Sequence, residues 1–171
     1  MTYILGGADD NVAVNFDSVT VLHNSTTDIA CSVGTVLPLQ STRSLYGSDT
    51  YSVSNGVFTL PSGFYYLLRG GIGAGVPTGT GLSGLYVKYR FYDTSASAYV
   101  GRRGTLTWQE SPLLTAGDDY AIALIDASSS SQTIDFRVTD LNGSSVKIDI
   151  SAGSSYPSYA GYSRVEIWKF K

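Results

Sequence analysis

The chain predicts an all-β fold, an antiparallel β-sandwich built as a single domain. Three observations carry that expectation. First, no run longer than eight residues is free of Gly, Pro, Ser, Thr, Asn and Asp, while a stable helix needs about 10–12 residues. Second, side chains alternate with a period of two. Leu85, Val87, Tyr89 and Phe91 alternate with Tyr86, Lys88, Arg90 and Tyr92, and Ile134, Phe136 and Val138 with Asp135, Arg137 and Thr139. Val146, Ile148 and Ile150 alternate with Lys147 and Asp149. Such strands have one face on a core and one in water. Third, short β-prone runs recur at regular spacing between turn signals, the pattern of a sandwich or barrel.

In order, strands are expected near 12–22, 29–37, 51–54, 57–60, 64–70, 84–93, 98–109, 119–126, 133–139, 145–150 and 163–170. Residues 1–11 precede them as a possible flexible or docking arm, leaving 12–171 as the sandwich domain. Asn55-Gly56 forms a tight turn, since both residues tolerate positive φ. Pro61-Ser62-Gly63 ends the run Val57 to Leu60, because Pro offers no N–H to a ladder. In the next strand Phe64, Tyr66 and Leu68 share one face, and Tyr65 and Leu67 the other. Both faces are apolar or aromatic, so cover is expected on both sides. Gly70 to Gly75 reads as a glycine-rich crossing at a trimer apex or a flexible surface loop. It is not a dinucleotide fingerprint, since Pro77, Gly79, Gly81 and Gly84 forbid the helix that motif needs. The serine-rich segment Ala127 to Gln132 and the turn Leu141 to Ser144 are each expected to close a hairpin.

Composition narrows the function. A chain of 171 residues fits one domain that buries roughly 70% of its unfolded surface. The formal charge is −3 and only 15% of residues are charged, which argues against a dedicated nucleic-acid binder. The single cysteine, Cys31, excludes an internal disulfide framework and fits a reducing compartment. Met1 to Asp10 lacks a basic segment and an apolar run long enough for a signal peptide. No segment approaches the ~20 apolar residues of a membrane span. Synthesis and assembly in a cytoplasm are expected.

A family resemblance enters at the Asn55 turn. Asn55, Gly56, Phe58, Pro61, Gly63, Tyr65 and Leu67 stand in an order that resembles the central signature of the tumour-necrosis-factor-like and complement-globular-head-like jelly rolls. Many phage tail-fibre tips and capsid decoration proteins are similar to that group. Thr115 to Asp118, followed by Tyr120 to Ile125, is similar to the Leu-x-x-Gly-Asp-x-strand element those folds carry. Arg164 to Phe170 matches the closing strand they place beside a trimer axis. The resemblance covers roughly residues 50–171. It implies a jelly-roll β-sandwich, a homotrimer, and a place among virion proteins.

Side chains suited to chemistry are scarce. His23, the only histidine, reads as part of a polar turn with no nucleophile motif nearby. Cys31 lies in an apolar run and reads as a buried, inert thiol. No Cys/His cluster has metal-ligand spacing. Glu110 and Glu166 are the only glutamates, and nothing in the spacing singles out a carboxylate pair for glycoside hydrolysis. Asp9-Asp10 and Asp118-Asp119 read as solvated turn acids, because no calcium loop of known spacing surrounds them. No catalytic residue, metal or cofactor is expected.

The expectation is therefore a structural protein. The candidate trimer-interface residues are Tyr65, Leu67, Val165, Ile167, Trp168 and Phe170. The leading role is capsid decoration (cement) in a bacteriophage, on the capsid surface, with the major capsid protein as partner. A small chain opening on Met1, without a long repetitive shaft, favours decoration over a fibre. Tyr3, Ile4 and Leu5, ahead of Gly6-Gly7, form a candidate docking hook, with Arg102 and Arg103 as a second candidate contact. The alternatives are a tail- or head-fibre receptor-binding tip, or a carbohydrate-binding module. For these, Tyr156, Tyr159 and Tyr162 would supply apolar area with polar tips for a glycan or partner. No nucleic acid or membrane partner is expected.

Overall fold

A computed structural model of the chain describes residues 2–5, 12–24, 29–75, 84–107, 119–143, 146–148 and 163–171. Among these residues there is no helix. The strands are β1 (Thr2–Leu5), β2 (Val12–Asn24), β3 (Ile29–Ala30), β4 (Leu39–Tyr46), β5 (Val53–Ser54), β6 (Val57–Leu60) and β7 (Phe64–Gly71). They continue as β8 (Ala74–Gly75), β9 (Tyr86–Asp93), β10 (Ala98–Thr107), β11 (Ala121–Ala127), β12 (Gln132–Asn142), β13 (Lys147–Ile148) and β14 (Arg164–Phe170).

The strands form two layers. The first runs β4-β2-β14-β7-β11, and β1 pairs with the start of β2. The second runs β10-β9-β12-β6-β5. Every one of these pairings is antiparallel. β10 belongs to both layers. It pairs with β9 along most of its length and with β11 at Arg102↔Ile122. Its register on β9 slips between Val100 and Gly104, a bulge that lets the strand turn from one layer to the other. Gly101 sits in this bulge at φ +70, and a Cβ there would strike the Ile122 carbonyl oxygen and approach the Ala123 Cα to 2.6 Å. β3, β13 and β8 form a small third sheet in the order β3-β13-β8.

The core lies between the layers. Leu22, Leu68, Val165 and Ile167 of the first face Phe58, Val87, Phe91, Phe136 and Val138 of the second, all fully buried. Burying each such side chain contributes about 1.5–3 kcal/mol. Phe91 and Phe136 stack at 4.7 Å between ring centroids, and Tyr89 meets Phe136 edge-on at 5.4 Å. Opposite this aromatic pair stands Gly70 of β7. A Cβ there would lie 2.7 Å from Phe136 Cζ and 2.9 Å from Phe91 Cζ. The two layers approach this closely only because that position carries no side chain.

Several expectations need correction. The run 29–37 is a strand only over Ile29–Ala30; it then turns, and Val36 bridges Arg137. Leu39–Tyr46, absent from the expected strands, is the edge strand β4. Gly70 to Gly75 is not a surface loop: Gly70, Ile72 and Ala74 are buried, and the run ends in β8 on β13. Neither expected hairpin forms. β11 and β12, joined by the serine-rich segment, lie in different layers. β13, after Gly143, pairs with β3 and β8 instead of β12. The Asn55-Gly56 turn does close the β5–β6 hairpin, with φ of 51° and 80°.

Candidate functional site

The outer face of the first layer concentrates exposed apolar side chains. Register partners in a sheet share a face, so the layer is read in rows across β2, β14, β7 and β11. One row is Val19–Trp168–Leu67–Leu124, and the next carries Phe16, Phe170, Tyr65 and Asp126. Phe16 meets Phe170 edge-on at 6.0 Å, and Phe170 stacks on Tyr65 at 6.1 Å. Leu124 is 67% exposed, Ile122 39% and Tyr65 38%, while Val19, Leu67, Trp168 and Phe170 are half-buried.

Toward its other end this face acquires charged side chains between the apolar ones. The row Val21–Glu166–Arg69–Ile122 continues in register to Arg102 on β10. Glu166 receives Arg69 at 3.5 Å and Arg164 at 3.4 Å. Arg69 also lies 3.8 Å over the Tyr120 ring. His23, read from sequence as a turn residue, lies within β2, paired to Arg164 and Ser41. Burial, followed by the charges of Arg43 and Arg164, pushes its imidazole below the ordinary value of 6.5, so it is neutral near pH 7. The face thus joins an apolar patch to a cationic border.

At the apolar end the loop after β4 is tied down. Asp49 accepts hydrogen bonds from Ser18 Oγ at 2.5 Å and Lys169 Nζ at 2.6 Å. Burial works against ionisation of this carboxyl. The Lys169 and Ser18 hydrogen bonds and the Lys169 charge outweigh it and hold the group below its ordinary value. Lys169 also lies 4.1 Å over the Phe64 ring.

The structure sorts the sequence-derived residues. It brings Tyr65, Leu67, Trp168 and Phe170 together on the outer face. Val165 and Ile167 do not join them: both point into the protomer's own core and are fully buried. They are withdrawn as interface residues, because a side chain already enclosed by its own subunit has no area left for another. Val19, Leu124 and Ile122 belong to the patch and were missed. Their signal is Ala121-Ile122-Ala123-Leu124-Ile125, where small alanines face inward and the larger side chains of the pairs face out. Tyr3, Ile4 and Leu5 lie in β1, paired with Val14, Ala13 and Val12. Arg102 and Arg103 lie in the β10 bulge, and Arg102 makes an exposed ion pair with Asp119. Tyr156, Tyr159 and Tyr162 lie outside the described residues.

Cys31 is half-buried against the core, and burial pushes its thiol up to about 11. Among the described residues no group of three or more His, Cys, Asp or Glu is placed to hold a metal ion.

This fold is a tumour-necrosis-factor-like jelly roll. The chain is similar to the structure of Eiger TNF from S. frugiperda, with a TM-score of 0.56 and 10% identity over 91% of this chain and 93% of that one. It is also similar to the crystal structure of murine APRIL, with a TM-score of 0.50 and 8% identity over 90% of this chain and 98% of that one. No protein-family model matches the sequence, and no curated protein matches it.

Proposed function

We propose that the chain is a non-enzymatic structural protein that works as a homotrimer, closed through the outer face of its first layer. The observation that carries this reading is the row Val19, Trp168, Leu67 and Leu124, extended by Tyr65, Phe16 and Phe170, on the face of the first layer turned away from the core. A contiguous apolar surface of this kind marks an interaction site. A second copy of the chain is the occupant of choice because β14, the strand the jelly-roll resemblance places beside a threefold axis, lies at the centre of this face between β2 and β7.

The trimer acts as a virion component that decorates a bacteriophage capsid, with the major capsid protein as partner. This assignment rests on the resemblance to phage decoration proteins and fibre tips. Three identical contacts suit the task, because linked weak contacts raise avidity ~10²–10⁴-fold. The β1–β2 hairpin is the proposed contact. β2 pairs with β14 only from Phe16 onward, so Val12 to Asn15 and β1 stand clear of that pairing.

The test incubates the purified protein, and a variant lacking residues 1–8, with undecorated phage shells, followed by sedimentation. Saturable binding of the intact protein and weakened binding of the variant are expected. Equal binding by both rejects the hairpin as the contact. A stable trimer that binds no shells but is retained on host cells rejects decoration and assigns a fibre tip.

A further inference from the structure

The second layer carries a different surface on the opposite side of the sandwich. Its outer face aligns Tyr99 of β10, Tyr92 of β9 and Asp135 of β12 in one row, with Arg90 and Arg137 paired in the next. Tyr92 and Tyr99 meet edge-on at 5.1 Å. Asp135 is only 1% exposed, and Arg137 closes over it with a fork, Nε donating to Oδ1 at 2.7 Å and Nη2 to Oδ2. That fork holds the Arg137 guanidinium 3.7 Å over the Tyr92 ring. The charge of Arg137 is therefore spent inside the protein, and its role is to fix Tyr92.

Arg90 differs. Its Nε donates to the Val100 carbonyl at 3.3 Å, within the β10 bulge, and its guanidinium lies 6.0 Å from the Tyr99 ring. Its two terminal nitrogens meet no partner among the described residues. Tyr99 stands 43% exposed beside them. The nearby ion pair Lys88–Asp140, at 2.7 Å, is self-satisfied. The result is an open guanidinium end next to an exposed aromatic pair.

We propose that Tyr92, Tyr99 and Arg90 form a binding site for a saccharide bearing a single carboxylate. The tyrosines offer rigid apolar area with polar tips to the sugar ring. The two free Arg90 nitrogens match a carboxylate fork. The chain's net charge of −3 opposes a polyanion. The site needs only the second layer, so it stands whether or not the trimer or the virion role does.

Calorimetric titration with a sialylated trisaccharide and a glucuronate-bearing disaccharide, each beside its carboxyl-reduced form, tests this. The wild-type protein is expected to bind the acidic sugars about tenfold more tightly than their reduced forms, the weight of one charge-assisted contact. Arg90→Gln should abolish that preference while leaving the reduced sugars unchanged. Tyr99→Ala should abolish binding of all four, with a wild-type circular dichroism spectrum. Absence of saturable binding by the wild-type protein overturns the proposal. So does an acidic-sugar preference that survives Arg90→Gln, or tighter binding of tripolyphosphate than of either acidic sugar.

Discussion

Replacing Leu124 tests the proposed assembly face at its most exposed point. Fully burying a leucine side chain contributes about 1.5–3 kcal/mol. Leu124 is 67% exposed in the protomer, so about two thirds of that, ~1–2 kcal/mol, is still to be gained when a neighbour covers it. Three copies in a closed ring then contribute ~3–6 kcal/mol, on the order of 10²–10⁴ in the trimer association constant. Leu124→Ala should lower the constant by most of that factor. Leu124→Asp should lower it further, since it places an unpaired charge in a dry contact. Sedimentation equilibrium over a concentration series reads the constant directly. Far-ultraviolet circular dichroism checks the fold, which should not change because the side chain packs so little within its own subunit. An association constant equal to wild type in Leu124→Asp would show that this face is not the contact and refute the reasoning.

Three further outcomes follow from the packing. Gly70→Ala places a methyl 2.7–2.9 Å from the Phe136 and Phe91 rings; overpacking of about 1–3 kcal/mol should lower Tm by ~2–12 °C, and an unchanged Tm in a thermal melt contradicts the layer contact. Asp49→Asn strands Lys169 and should cost about 1–3 kcal/mol at neutral pH. Because the Asp49 carboxyl is held below its ordinary 3.8, its contribution is present above that pH and fades as pH falls through the lower folded value. Melts of wild type and variant should therefore converge in acid, and a gap independent of pH would exclude the ion pair as its cause. With its thiol pushed up to about 11, Cys31 should react with iodoacetamide at pH 8 far more slowly in the native than in the unfolded protein. The native rate should climb toward pH 11, and equal rates at pH 8 would contradict its burial.

Strand faces are legible in the sequence because a period of two is a local pattern. Val87, Tyr89 and Phe91 point inward as their alternation with Lys88, Arg90 and Tyr92 predicts. Strand partners are less legible. A turn signal says that the chain reverses, not which layer the next strand joins, so β11 and β12 look like a hairpin although they stand in opposite layers. β4 is hidden for a related reason. Leu-Gln-Ser-Thr-Arg-Ser-Leu-Tyr lies on the β4 edge of the layer; only Leu39 enters the core and Thr42 to Tyr46 are all exposed, so no alternation betrays a core face. The glycines of 70–75 look flexible because their physical reason, the Phe91 and Phe136 rings across the core, comes from distant strands.

The candidate face is half legible. β14 is apolar on both sides, which tells a reader that two surfaces must be covered. It does not tell which of Val165–Ile167 and Trp168–Phe170 belongs to the core. The small inward partners on β7 and β11, Gly70 and Ala123, settle it only once the register is known. The Tyr92, Tyr99 and Arg90 cluster is invisible in sequence, because it needs the β9–β10 pairing and the Val100 bulge to assemble.

The most direct measurement is the mass of the wild-type protein in solution at micromolar concentration by sedimentation equilibrium. A homotrimer closed through the first layer predicts three times the 18.2 kDa of one chain, falling toward a single chain in Trp168→Asp. A wild-type species of 18.2 kDa across the concentration range would contradict it.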